Sequence, residues 1–441
     1  MATSIPQVAE AMQSVLNSNA DQFASETGFV QRRSKMSGAK FVQTLIFGWM
    51  SNPQATLEQL AQTAASLGVT ISAQGLDERF QEKAADLMQA VLGAGVERAI
   101  TAHPASLAIL ERFAQVIIQD STVVQLPAEL LPIWQGCGSA SGKGQAALKA
   151  EVRWELKQGR LWGPYLEDGR VNENRSRIMG EPVTEGALFI ADLGYWKLAR
   201  MQAWSASGSY WLSYLRFNTV VLDENQQRQN LLQLLQAQNN PHIELKVFLG
   251  EKPRVPARLI AVRVQQETAD RRRQRIYDVA RRMQRPADPQ VLALADWTIL
   301  VTNVPATLLT LREATHLIRI RWQVELLFKL WKSHGQIDAW RSHKPWRILC
   351  EIYAKLLTLL IQHWLFLVCF WEFPDRSLFK AAQTIQRFAL ALAIRFANFA
   401  DLVGILEIIH SCLSAGCRIN RSNQQPRSFQ LLEAAMRTPL A

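Results

Sequence analysis

Residues 318–332 read Ile318-Arg-Ile-Arg-Trp-Gln-Val-Glu-Leu-Leu-Phe-Lys-Leu-Trp-Lys332, and three of their charges decide how the rest of the chain is read. At about 100° per residue, Glu325 falls about 40° and Lys332 about 20° from Arg321, so all three share one helical face. A carboxylate between two cations on one rigid helix suits joint binding of a metal ion and a phosphate. The same geometry allows an ordinary surface in which Glu325 pairs with Arg321 or Lys329. Other parts of the chain must decide between the two.

Upstream, Val116-Ile-Ile-Gln-Asp-Ser-Thr-Val-Val-Gln-Leu126 is rich in β-branched residues. It predicts one strand, or two short ones broken at Asp120-Ser121, ended by Pro127. A Gly/Ser-rich loop follows over 135–144. Two further strands are expected at 146–156 and 161–166, and a short apolar one over 187–194, which ends Asp192-Leu-Gly194. A helix over about 196–204 completes a mixed α/β sheet. Residues 209–305 read as a β-rich insertion, with strands at 210–217, 242–249, 257–264 and 297–303. The insertion also holds a basic helix carrying Arg271, Arg272, Arg273 and Arg275. From Thr310 the chain reads as helical almost to its end, and 420–427 as a loose polar tail. Residues 5–110 read as helical. Within them, 57–80 is a helix, a turn at Gly68 and a second helix capped by Ser72. That pattern fits a helix-turn-helix or a plain helical hairpin, and Arg32, Arg33, Lys35 and Lys40 upstream are placed to reach phosphates.

A chain of 441 residues, 48% of them hydrophobic, can bury a large core and suggests two or three domains. Its net charge of +11 favours a polyanionic partner, most commonly nucleic acid. The five cysteines match no zinc spacing and read as thiols of a reducing cytoplasm. The N-terminal residues lack the pattern of a signal peptide. Residues 348–371 are apolar over the length of a membrane span. They nevertheless include Glu351, Lys355, Gln362 and His363, and Glu351 and Lys355 form an i,i+4 pair. Such groups are costly in lipid, which predicts a buried core helix and no membrane.

Asp120 and Asp192 are expected at strand ends, which in an α/β sheet open into a shared crevice. Glu325 on the long helix completes a set of three carboxylates. Such a set repels itself unless a cation neutralises it. Mg²⁺ fits, because it takes carboxylate oxygens and leaves places for phosphate and water. Two such ions about 4 Å apart activate an attacking hydroxyl and stabilise a leaving 3′ oxygen. Singly, each residue has a plainer reading: a strand-end cap, a turn residue and half of an ion pair.

Taken together and in this order, these residues resemble the DDE transposases of bacterial insertion sequences, specifically the insertion-sequence-four group. The hallmark of that group is Tyr, two residues, Arg, three residues, Glu, six residues, Lys. This chain has Ile318, Arg321, Glu325 and Lys332 at those places, and Trp322 and Lys329 also look family-like. Asp120-Ser-Thr122 and Ile190-Ala-Asp-Leu-Gly194 look like the family's two aspartate motifs. The resemblance covers about residues 110–370. It implies an RNase H-like catalytic core interrupted by a β-rich insertion, with Asp120, Asp192 and Glu325 holding two Mg²⁺ ions (Mn²⁺ substituting). Arg321, Lys329, Lys332, Trp322 and the Arg271–Arg275 run would contact DNA. Trp297 would stack on a flipped base where a hairpin intermediate forms. The implied activity is cut-and-paste transposition by a homodimer acting on terminal inverted repeats and target DNA in a bacterial cytoplasm, at the nucleoid. Ile318 departs from the signature, since it cannot donate the hydrogen bond of a tyrosine. A non-cleaving DNA-end-binding repressor and another RNase H-like nuclease stay open. The expected division is a helical DNA-binding domain over 1–110, the core over 111–208 and 306–372, the insertion over 209–305 and a helical region over 373–441.

Overall fold

The computed structural model of the chain describes residues 2–32, 35–104, 107–138, 144–238, 240–371, 373 and 376–419. Arg33 and the tail at 420–427 lie outside the described residues. The architecture is mixed α/β, with helices flanking the strands. The described residues fall into two compact units. Residues 2–104, 120–178 and 323–419 make the first, and 107–119 with 179–322 make the second.

The first unit is built around the helix Pro345–Phe370, in which every residue from Ile348 to Leu367 is buried. Helices Glu82–Val96, Gly38–Ser51 and Phe399–Ala415 pack against it. This explains its apolar character on all sides: it meets protein in every direction. Gly95 permits close approach, since a Cβ there would stand 2.8 Å from Leu357 Cδ1. The polar residues inside this helix are answered locally. Lys355 Nζ donates to Glu351 at 2.7 Å and to the carbonyls of Gln336 and Ala339 at 3.1 and 2.8 Å. His363 Nε2 donates to the Gly159 carbonyl at 2.8 Å. Burial holds the His363 imidazole down at about 4.

The helix-turn pattern near the N-terminus forms as expected. Helix Leu57–Ser66 ends before Gly68, whose φ is +82°, and Ser72 accepts the Gly75 amide at 3.0 Å to start Ala73–Asp77. That second helix is five residues long. Its Asp77 is bound by Lys344 and Arg347.

Strand β1 (Val116–Leu126) starts in the second unit and ends in the first. It is unbroken, the first of the two readings the sequence allows, and Asp120 therefore lies inside the strand and not at the strand end expected for it. Asp120 Oδ1 accepts the Ser121 amide at 2.8 Å without turning the chain, and the β-branched Thr122, Val123 and Val124 carry the extended backbone onward. The first unit also holds β2 (Gln135–Gly138), β3 (Gly144–Glu155) and β4 (Leu161–Asp168), with β3 antiparallel to β2 and to β4. β2 falls where the sequence suggests only a loop. Gly136 makes the pairing feasible, since a Cβ there would stand 2.6 Å from the Gln145 carbonyl oxygen.

In the second unit β5 (Leu188–Ala191) lies parallel to β1, and β6 (Tyr210–Tyr214) parallel to β5. The helix Leu198–Ala206 links β5 to β6. Phe189 stacks on Trp204 of that helix at 4.3 Å between ring centres. After β7 (Val221–Leu222) and β8 (Arg228–Gln229) come β9 (His242–Leu249), β10 (Val255–Arg263) and β11 (Trp297–Thr302), paired antiparallel in the order β9-β10-β11-β6. The β-rich segment therefore extends this unit's sheet through β6.

The run at 318–332 is not one helix. Leu311–Leu317 starts with a Thr310–Glu313 capping box, a 3₁₀ turn spans Ile318–Arg321, and an α-helix runs over Trp322–Ser333. Ile318 and Ile320 are both buried. Two residues apart, they would stand about 160° apart on an α-helix but about 120° apart on the tighter turn, which brings both closer to one side.

Candidate active site

The three carboxylates sit on different elements. Asp120 lies within β1 and Glu325 on helix Trp322–Ser333, both in the first unit. Asp192 directly follows β5 in the second. On β1 and β5, Ile118 pairs with Ile190, so each aspartate comes two residues after a paired isoleucine. Among the described residues, no three or more His, Cys, Asp or Glu side chains are grouped as a metal ion would require.

Within the first unit, Lys332 Nζ donates to the Val123 carbonyl at 3.2 Å. That contact turns the helix face carrying Lys332 toward the half of β1 that carries Asp120. Glu325, seven residues earlier, is only about 20° from Lys332 around the helix. Both are half-buried, whereas Lys329 is exposed.

Within the second unit, Arg321 Nε stands 3.6 Å from Asp192 Oδ1. The 3₁₀ turn thus brings Arg321 to Asp192, a partner that the helical spacing alone does not suggest. Beside Asp192 is a residue the sequence reading passed over. Ala191 pairs with Ser213 on β6, and the next residues on these parallel strands are Asp192 and Tyr214. Burial raises the Tyr214 phenol above its usual range, and Asp192 adds to the rise. The guanidinium charges of Arg321, Arg272 and Arg319 oppose it. Tyr214 was legible only as the inside of an apolar run extending to Phe217. Its one available signal was that it ends a strand beside an aspartate that does the same.

The basic helix Gln266–Arg282 divides its arginines between structure and solvent. Arg272 donates to the Trp297 carbonyl and to Thr298 Oγ1, both at 2.8 Å, and so ties the helix to β11. Arg273 pairs with Asp270 and Asp296. Arg271 and Arg275 are exposed. Trp297 is 9% exposed and belongs to the apolar core of the unit, with Arg263 over its ring. Trp322, at 55% exposure, is the ring presented to solvent. Ile318, at 2%, is a core residue.

The sequence family described as Transposase DDE domain matches residues 111–361, more than half of the chain. The transposase for insertion sequence element IS231F of Bacillus thuringiensis subsp. israelensis is 27% identical over 367 residues, covering 77% of this chain and 76% of that protein. The transposase for insertion sequence element IS1151 of Clostridium perfringens is 23% identical over 366 residues, covering 77% and 76%. Among solved structures, a piggyBac transposase synaptic complex with hairpin DNA covers 95% of this chain and 87% of its own, at 7% identity and a TM-score of 0.44. The family match spans Asp120, Asp192, Glu325 and the 318–332 run alike, and the chain belongs to the DDE transposases of bacterial insertion sequences.

Proposed function

We propose that this protein is a cut-and-paste transposase that nicks the ends of its own element and joins the freed 3′ hydroxyl to target DNA. The observation that carries the reading is the strand register, in which Asp120 and Asp192 each follow the Ile118–Ile190 pair by two residues on parallel neighbours. Two parallel steps, β1 to β5 and β5 to β6, with antiparallel β3 and β4, support an RNase H-like core. β7 to β11 are then the insertion between the second aspartate and Glu325. The domain limits expected from the sequence go with this reading, except that β6 (Tyr210–Tyr214), expected in the insertion, joins the core.

Asp120, Asp192 and Glu325 offer only carboxylate oxygens, a donor chemistry that fits Mg²⁺ or Mn²⁺. Ions bound there would activate the attacking water or hydroxyl and stabilise the departing 3′ oxygen. The chain's own residues do the positioning. Arg321 orients the Asp192 carboxylate and brings a guanidinium charge to bear on a phosphate. Lys332 fixes the Glu325 helix to β1. Arg271, Arg275 and Lys329 supply exposed charge for the DNA backbone. Base stacking falls more readily to the exposed Trp322 than to the buried Trp297. Both ends must be cut and joined together, so the working form is a homodimer on paired ends, at the bacterial nucleoid.

The test is product analysis. The purified chain is incubated with Mg²⁺, a duplex carrying the repeats that flank its gene, and a plasmid target. Nicking at the repeat followed by joined products supports the reading. A shift of the DNA without cutting would indicate a repressor. Cutting without joining or repeat preference would indicate another nuclease.

A further inference from the structure

The guanidinium charges of Arg272, Arg319 and Arg321 bear on the Tyr214 phenol, and Arg321 Nε stands 3.6 Å from Asp192 Oδ1. Cationic side chains placed beside Asp192 equip this corner of the second unit to take an anion. The cations come from two elements, the helix Gln266–Arg282 and the 3₁₀ turn Ile318–Arg321. Arg272 is held rigid by its bonds to Trp297 and Thr298, Arg321 is set by Asp192, and Arg319 is exposed on the 3₁₀ turn. Tyr214 is half-buried at the end of β6, and the strand register places it next to Asp192. Its hydroxyl makes no hydrogen bond among the described residues, while position 318, a buried isoleucine, offers no donor. A phosphodiester carries one negative charge and several acceptor oxygens, and so matches two or three guanidinium groups plus one neutral donor.

We propose that Tyr214 donates a hydrogen bond to a DNA backbone phosphate that Arg319 and Arg321 neutralise beside Asp192, so that this corner grips the strand next to the cleavage site. The proposal rests on the transposase reading for the identity of its ligand.

The two halves of the grip have different signatures. Tyr214→Phe removes a neutral donor, so it should weaken binding of the end duplex about tenfold in Ca²⁺ while leaving the salt dependence unchanged. Arg319→Gln removes a charge, so it should flatten the slope of log affinity against log salt by about 0.9. Thermal melting of both variants checks that they fold. The direct test uses a series of end duplexes, each with one phosphate replaced by a neutral methylphosphonate. At one position near the cleavage site, wild type and Tyr214→Phe should bind equally well, because the contact is already gone. Equal binding of the two proteins to unmodified DNA would overturn the proposal. So would a tenfold gap that persists on every modified duplex, since the hydroxyl would then be acting only within the protein. Because these readouts need no cleavage, they stay interpretable if the catalytic reading fails. That reading is judged by nicking in Asp192→Asn, which leaves Tyr214 in place.

Discussion

Lys355→Met is the sharpest test of the helix at the centre of the first unit. The Glu351 and Lys355 side chains are 4% and 2% exposed, their ion pair is 2.7 Å long, and Lys355 also satisfies two backbone carbonyls. Removing the ammonium leaves a buried carboxylate without its counter-charge and two carbonyls without this donor. A broken buried pair of this kind costs about 3–5 kcal/mol. At about 2 °C per kcal/mol for a large folding unit, melting should fall by roughly 6–10 °C. Burial already raises the Glu351 pKa, and loss of Lys355 raises it further. A carboxyl with a raised folded pKa gives its full stability below its unfolded value and loses it as pH rises through the folded one. The deficit of the variant should therefore be smaller at pH 5 than at pH 8. Adding Glu351→Leu removes the stranded charge and should recover most of the loss. The assay is calorimetry or circular-dichroism melting of the full chain. A single variant as stable as the wild type, or a double variant less stable than the single, would refute the reasoning.

Arg272→Gln should cost about 2 kcal/mol by untying the basic helix from β11, whereas Arg275→Gln should leave melting unchanged and flatten the salt dependence of DNA binding by nearly one unit. His363 stays neutral down to about pH 4 in the folded chain but titrates near 6.5 when unfolded. It therefore holds stability above pH 6.5 that is lost as pH falls toward 4, about 3 kcal/mol in all, and wild type minus His363→Phe should show that slope in denaturant unfolding. Trp322→Ala should leave melting unchanged and weaken binding of single-stranded DNA tails by about 1–3 kcal/mol if the exposed ring stacks on a base, measured by fluorescence titration.

Much of this arrangement was legible in the chain, for reasons that can be named. The strands His242–Leu249 and Trp297–Thr302 follow the apolar patterns over 242–249 and 297–303 nearly residue for residue. Asp192 falls at the end of an apolar strand, as its Asp-Leu-Gly sequence suggests. The buried fate of residues 348–371 follows from four polar residues that lipid would not take. Periodicity failed where tertiary contacts overrode it. Asp120 was expected at a strand end, yet it lies inside an unbroken strand, where its side chain accepts the Ser121 amide. The 318–332 run looked like one helix, yet two buried isoleucines two residues apart favour a tighter turn. Tyr214 could not be found from spacing, because its neighbours come from β5, the 3₁₀ turn and the basic helix, which only the fold brings together.

The central claim is that Glu325 belongs to the catalytic carboxylates. Its most direct test is Glu325→Gln, a change that keeps size and removes charge. Nicking of an end duplex in Mg²⁺ should fall at least a thousandfold, roughly 4 kcal/mol or more in the barrier, while end binding in Ca²⁺ and melting stay at wild-type values. Wild-type nicking by Glu325→Gln would contradict the account.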